Sequence, residues 1–408
     1  MRCTQPEHPP CGPVVLNDWG MREVLFPLTY LRPVGDLRFG ILPQAESWAL
    51  ALGAEATYYQ TDQELRPIFR PLPGPGNTHP LQLNASVLPT LELVEAVRSL
   101  GIGQALRSGE VLLAARCDAP LEDPSRADSL ERVDFGGEVL RVEAPWDIFK
   151  LAGRAMELDF ARLTAGRASQ PLSPTVNVLG THRIFLEPGA RAECCTLNAT
   201  EGPIYLGRDS EVMEGSLVRG PFALGEHSVL RMGARVYGPT IIGPECRVGG
   251  EVSNVVFQGY ANKAHEGFIG NAVIGQWCNL GADTNCSNLK NDYGRVRVWS
   301  VAQGRFVQTG EQFCGLIMGD HSKSGINTMF NTGTVVGMFC NVFGDGFPRT
   351  WVPSFSWGGA AGFSEHALPK ALATARLVMA RRGRELSAAE EALIGHLHGR
   401  FADRPGAF

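Results

Sequence analysis

The chain has 408 residues, a formal net charge of −5 and 19% charged residues. That length allows two or three domains with a sizeable core, and the charge balance excludes the strongly basic footprint of a nucleic-acid binder. The 48 glycines exceed the usual ~7% share and favour a fold with many tight corners.

Residues 1–171 are expected to form an α/β domain. Met1 to Pro13 lacks an apolar signal core. Val14-Val15-Leu16 reads as a strand, and Leu81 to Leu88 as another. Leu91, Leu93, Val94, Val97 and Leu100 then follow a helical spacing, and Val111 to Ala115 fits a buried strand. Strands alternating with helices point to α/β layering. Arg32, Asp36 and Arg38 form a charged group able to meet a phosphate.

From residue 172 the texture changes. Gly202-Pro203, Gly220-Pro221 and Gly238-Pro239 open blocks of eighteen residues. Within them Leu206, Val212, Val218, Leu224, Leu230, Val236, Ile242 and Val248 are aliphatic and six apart. Neither a helix nor an isolated strand has that period. A parallel coil of three short strands does, with one inward aliphatic filling each side. The pattern resumes at Ile269-Gly270, Ile274-Gly275 and Leu280-Gly281, and again at Val336-Gly337 and Val342. The β-helix is expected over 172–352, with a break at about 253–268.

That break is expected to be a loop leaving the coil, a common place for function. It holds Asn262, Lys263 and His265. His265 suits a general base, because its unperturbed pKa lies near the operating pH. Lys263 offers a point charge for phosphate; the competing reading is that both are solvated loop residues. The next stretch, Gly281 to Gly294, is rich in amides and includes Asn288 and Lys290, which suit a sugar phosphate or the corners of a coil. A further cluster contains Asp320, His321 and Lys323.

Residues 353–408 read as a short helical tail, with a helix from Leu368 and a capping box at Ser387 and Glu390 before another. The ten cysteines contain no CxxC pair, so no metal site is assigned. No apolar run reaches the ~18 residues of a membrane helix. A reduced, cytoplasmic protein is expected.

Asn262-Lys-Ala-His265, then Gly-Phe-Ile-Gly270, Ile274-Gly275 and Leu280-Gly281, resembles the acetyltransferase half of the bifunctional N-acetylglucosamine-1-phosphate uridyltransferase/glucosamine-1-phosphate acetyltransferases. Leu28-Thr29, Arg32-Pro33-Val34, Pro145 to Phe149, Trp277 to Asp283, Ser287 to Asn291, Gly319 to Lys323 and Phe355 to Gly359 resemble a related group of sugar nucleotidyltransferases. The resemblance implies a nucleotidyltransferase-like α/β domain, a left-handed parallel β-helix and a helical tail. It implies His265 as the base that deprotonates an amine attacking an acyl-CoA such as acetyl-CoA. Phe268 stands where the family has Tyr, and Asn288 matches the family Asn. No lysine matches the family's phosphate holder, so Lys263 or Lys290 is the substitute. A homotrimer, with a sugar phosphate or nucleotide sugar as partner and neither nucleic acid nor membrane, is also implied. The N-terminal domain lacks the family's Gly-rich loop, and Ser86 falls where an Asp would bind Mg²⁺, so Mg²⁺ is expected only if that domain is active. The alternatives to acyl transfer are sugar-1-phosphate nucleotidyltransferase activity in this N-terminal domain, otherwise degenerate and kept for binding or assembly, and a non-catalytic trimeric binding scaffold.

Overall fold

Val14, Val15 and Leu16 are fully buried, as expected of a parallel-sheet strand covered on both faces. In the computed structural model, which describes residues 12–72, 79–118 and 120–402, they belong to a six-stranded sheet. Its strands are β1 (Val14–Asn17), β2 (Thr57–Gln60), β3 (Leu81–Asn84), β4 (Gln104–Ser108), β5 (Val111–Arg116) and β6 (Glu131–Asp134), in the order β2-β1-β3-β5-β4-β6. β1 runs parallel to β2 and β3, and β5 is antiparallel to β3 and β4. Helices α2 (Gln44–Leu52) and α3 (Leu91–Arg98) complete this unit, which also takes in Met21 and Arg22 of α1 (Met21–Val24). Thr90 caps α3 by accepting from Leu93 N–H, and Leu93, Val94 and Val97 form its buried stripe.

The chain forms two compact units. Among the described residues, one comprises those of 12–22, 32–37 and 42–143, and the other those of 23–31, 38–41 and 144–402. Helix α4 (Asp147–Thr164) belongs to the second unit.

The second unit is built on a parallel β-solenoid of three faces. All eight aliphatics of the six-residue register are buried, at 2% exposure or less. On the first face, Leu197, Val218, Val236, Val252 and Ile269 stack inward in successive ladders. Leu206, Leu224 and Ile242 do so on the second, and Ala192, Val212, Leu230, Val248 and Lys263 on the third. Cys246, Cys286 and Cys340 are members of the same core. Burial pushes the Cys246 thiol up to about 12, so these cysteines pack as small hydrophobes. Cys3 and Cys11 lie outside the described residues.

The break at 253–268 is not a loop. Glu251–Phe257, Asn262–Lys263 and Phe268–Ile274 remain strands of the solenoid. The period fails there because the corner between first and second faces shortens. Gly-Pro corners give way to single left-handed residues, Asn254 (φ 55°) and Asn271 (φ 46°). The excursion lies later, between the strands Asn285–Cys286 and Ile317–Met318, and includes an antiparallel hairpin of Arg297–Ser300 and Arg305–Gln308.

The helical tail comprises α5 (Leu368–Ala380) and α6 (Ala388–Ala402). The capping box forms as expected: Ser387 N–H donates to Glu390 Oε2 (2.7 Å) and Glu390 N–H donates to Ser387 Oγ (3.2 Å). Among the described residues no helix is long and apolar enough to cross a membrane.

Candidate functional site

Two regions of the molecule gather chemistry-bearing side chains. The first is the carboxyl end of β1 and β3. In open α/β sheets, ligands bind in the crevice outside the strand ends, where the topology reverses. Asp18 follows β1 directly; its Oδ1 accepts from Val34 N–H (2.8 Å) and its Oδ2 from Thr61 Oγ1. Burial raises the Asp18 carboxyl to about 7, with the Thr61 and Val34 hydrogen bonds and the Arg22 charge opposing. Trp19 (φ 36°) and Gly20 (φ 79°) then turn the chain into α1. Arg22, 3% exposed, pairs with Asp62 and with Glu64 (2.7 Å). After β3, Asn84 Oδ1 accepts from Ser86 N–H (3.0 Å) and Ser86 Oγ (2.7 Å), and Arg141 Nε donates to Ser86 Oγ (3.3 Å). Asp18, Arg22 and Arg141 did not emerge from the sequence. An Asn-Asp pair at the end of an otherwise aliphatic strand, with glycine two residues further on, is the signal that marks the place.

Arg32 and Asp36 pair at 3.0 Å in this same unit. Arg38 belongs to the solenoid unit. There its backbone N–H donates to Gln258 Oε1 (2.7 Å), its carbonyl accepts from Gln258 Nε2 (2.9 Å), and its guanidinium donates to Ile41 O.

The donor set of the crevice does not fit Mg²⁺. Ser86 stands at the expected carboxylate, with its hydroxyl committed to Asn84. Asp18 spends both oxygens on neutral donors. Among the described residues no cluster of three or more His, Cys, Asp or Glu is arranged to hold a metal ion.

The second region is the solenoid around His265. His265 is exposed, in the corner between third and first faces. This corner is wider than the Gly249-Gly250 corner beside it, since Gly249 N–H donates to Lys263 O and Glu251 N–H to Gly267 O. Glu266 is held by Arg235 Nη2 at 2.8 Å. Lys263 turns the other way. It fills the inward slot of the column after Val248, and its Nζ donates to the carbonyls of Gly249 and His265, both at 3.0 Å. Burial pulls its pKa down to about 8.

Phe268 N–H donates to Asn285 Oδ1 (2.7 Å), and the Phe268 ring lies over Gly270. A Cβ at Gly270 would come within 2.6 Å of Phe268 Cζ and of Asn288 Nδ2, so a larger residue there would displace one of these side chains. Asn288 Nδ2 donates to Asn271 Oδ1 (2.8 Å) and Asn271 Nδ2 to Asn254 Oδ1 (3.0 Å). Asn254 in turn donates to Phe149 O (2.8 Å) and Pro239 O (3.2 Å). Asn288 thus continues a corner ladder.

Lys290, paired with Asp292 at 3.0 Å, lines a cavity of about 470 Å³ with Ser287, Asn291, Arg297, Phe306 and Thr332. The hydroxyls and amides of this cavity can both donate and accept, as sugar hydroxyls require.

The Asp320–Lys323 cluster is divided. His321 (φ 59°) is a rung in a corner stack of left-handed residues, 6.1 Å from Trp277 and 4.6 Å from Phe339 between ring centroids. Asp320 Oδ1 accepts from Gln276 N–H (2.7 Å). Lys323 faces outward on the third face, where Asn262 also lies.

Comparison with known proteins bears on both units. Residues 14–168 match the family model described as sugar nucleotidyl transferase. A Sulfurisphaera tokodaii protein named bifunctional sugar-1-phosphate nucleotidylyltransferase/acetyltransferase is 30% identical over 146 residues, covering 35% of this chain and 36% of that protein. The bifunctional protein GlmU of Methanocaldococcus jannaschii is 36% identical over 76 residues, 19% of this chain and 18% of that protein. The chain therefore spans about a third or less of the length of these curated relatives. Among solved structures, the Arabidopsis UDP-N-acetylglucosamine acyltransferase aligns over 52% of this chain and 80% of its own, at 16% identity and a TM-score of 0.25. A sugar-nucleotide-related unit is here joined to a hexapeptide-repeat β-helix, with homology to bifunctional proteins of the GlmU kind.

Proposed function

We propose that this chain is a transferase of sugar-nucleotide metabolism whose N-terminal unit transfers a nucleotidyl group to a sugar 1-phosphate. The observation that carries this reading is the family match over 14–168, which spans the strands whose ends gather Asp18, Arg22 and Arg141. In the reaction a phosphate oxygen of the sugar attacks the α-phosphorus of a nucleoside triphosphate, and the bond to pyrophosphate breaks. Two polyanions must meet, so fixed positive charge is the protein's main contribution. Arg141, held by Ser86 and by Glu143 at 3.1 Å, is placed to supply it. Asp18, kept largely protonated up to about pH 7, adds little repulsion there. Mg²⁺ arrives with the triphosphate as part of the substrate. Purified protein with glucose 1-phosphate, Mg²⁺ and UTP or dTTP is expected to release pyrophosphate. Arg141→Ala should lower kcat/KM by about tenfold or more, as loss of a charge-assisted contact does, at unchanged Tm. No pyrophosphate with either triphosphate overturns the reading.

A second reading places acyl transfer from an acyl-CoA to an amino-sugar phosphate on the solenoid, with His265 as base. It is supported by the exposed His265 and by exposed apolar side chains on the same side of the solenoid, two or more coils to either side of it. Met232, Ile326 and Phe343 at the corners, and Leu217 and Met329 on the first face, are all more than a third exposed. Scattered exposed apolar side chains of this size suit a homotrimer whose neighbouring copy completes the site and excludes water. The polar cavity at Lys290 would hold the acceptor. His265→Ala is expected to abolish coenzyme A release from acetyl-CoA and an amino-sugar phosphate; an unchanged rate removes His265 from the chemistry.

A further inference from the structure

The third face of the solenoid carries an outward column that neither reading uses. Asn262, Asn279, Lys323 and Asn341 occupy outward positions in successive ladders. The end of α5 brings Arg381 and Arg382 over this column, and Arg382 Nη2 donates to Asn262 Oδ1 (3.4 Å). Between them lies a cavity of about 260 Å³, walled by the stacked rings of Tyr260 and Trp277, whose centroids are 4.1 Å apart. Lys323, Arg381 and Arg382 line it, and no carboxylate does.

The charges here are poorly answered. Glu245 sits 3.7 Å from Arg382 Nε, at the limit of an ion pair. Lys323 Nζ donates to a neutral carbonyl, His321 O, at 2.9 Å. Burial, and then the Arg382 charge, holds the Arg247 guanidinium below its usual range. His366 is lowered by burial, with Lys323 and Lys370 adding to the effect. Cations crowded into a cleft without carboxylates are costly unless an anion joins them, and phosphate oxygens form strong charge-assisted bonds to Arg and Lys. We propose that this cleft is a binding site for a phosphate-bearing small molecule, its phosphate held by Lys323, Arg381 and Arg382 and its organic part lying along Tyr260.

The site is separate from the strand-end crevice and does not depend on either transfer reaction. Inorganic phosphate and glucose 6-phosphate, neither a substrate nor a product of the transfer proposed for the N-terminal unit, are the probes, titrated calorimetrically against the full chain at constant ionic strength. At least one is expected to bind, with Arg381→Ala weakening it by about tenfold or more and Lys323→Met at least as much. Arg381 is exposed, so its variant keeps the test valid if Lys323→Met fails to fold. Arg141→Ala, in the other unit, should leave this binding intact. Failure of both probes to bind overturns the proposal, as does binding that survives Arg381→Ala or is lost with Arg141→Ala.

Discussion

Lys263 shows how one residue's role turns on register. In sequence it sits beside His265 in an interrupted repeat and reads as a loop cation. In the fold it follows Val248 in an inward column, with 1% of its surface exposed. The error has a physical source: once the corner shortens at Asn254, the eighteen-residue count no longer says which positions face inward. A lysine held at about 8 against its ordinary 10.5 binds its proton less tightly folded than unfolded. Stability is therefore greatest above 10.5 and falls as pH drops to about 8, by on the order of 3 kcal/mol. Lys263→Met keeps the volume and removes the charge. Its Tm should equal or exceed the parent's at pH 7, and lose that advantage by pH 10. A pH-independent difference between the two would mean that the ammonium is solvated. Asp18 works in the opposite sense. Its carboxyl, raised to about 7, binds a proton more tightly when folded, so the stability it contributes is present below about 4 and lost as pH rises through 7. Asp18→Asn should flatten that part of the denaturation midpoint against pH; an unchanged slope would assign it to other groups.

The elements were legible wherever one face is buried regularly. Val111–Arg116 and Leu91–Arg98 fall where their patterns placed them, because strand and helix periods survive intact there. What the sequence hid were the solenoid's corners, whose partners lie one coil away in the ladder direction, 17 residues apart in sequence. The amides of Asn254, Asn271 and Asn288 look like ordinary turn formers singly, yet they hydrogen-bond into one ladder. Asn271 adds a left-handed φ of 46° to its two ladder bonds. Asn271→Gly relieves the backbone demand but leaves its neighbours' amides unpaired, which should cost about 1–3 kcal/mol. Asn271→Ala adds the left-handed penalty of about 1–2 kcal/mol. Chemical denaturation of the two variants separates the terms: equal losses would show that the left-handed corner, rather than the ladder, carries no weight. The aromatic corner is similar. Tyr260, Trp277, His321, Phe339 and Phe355 share φ between 55° and 62°, and that common geometry draws His321 into a stack.

At the scale of the whole molecule, the order of α/β unit, solenoid and helical tail was readable because each has its own periodicity. Which unit performs chemistry was less so, since a site depends on ladder neighbours and, for His265, on surface that one chain leaves exposed. Ile326 is 72% exposed and Met232 67%; they lie four coils apart on one edge of the solenoid, with the His265 corner midway between them. Large apolar side chains left exposed on both sides of His265 are what a neighbouring copy would cover. Symmetry then requires that any ring built from this edge repeat the same heterologous contact. Ile326→Glu places a carboxylate in that contact without touching the inward columns, so the monomer should keep its Tm at low concentration. Sedimentation velocity is expected to show a trimer for the parent and a monomer for the variant. Acyl transfer should fall with the trimer, whereas pyrophosphate release by the N-terminal unit should persist. A parent that sediments as a monomer would leave His265 without a neighbour to complete its site. The strand-end crevice would then be the place where chemistry has to be sought.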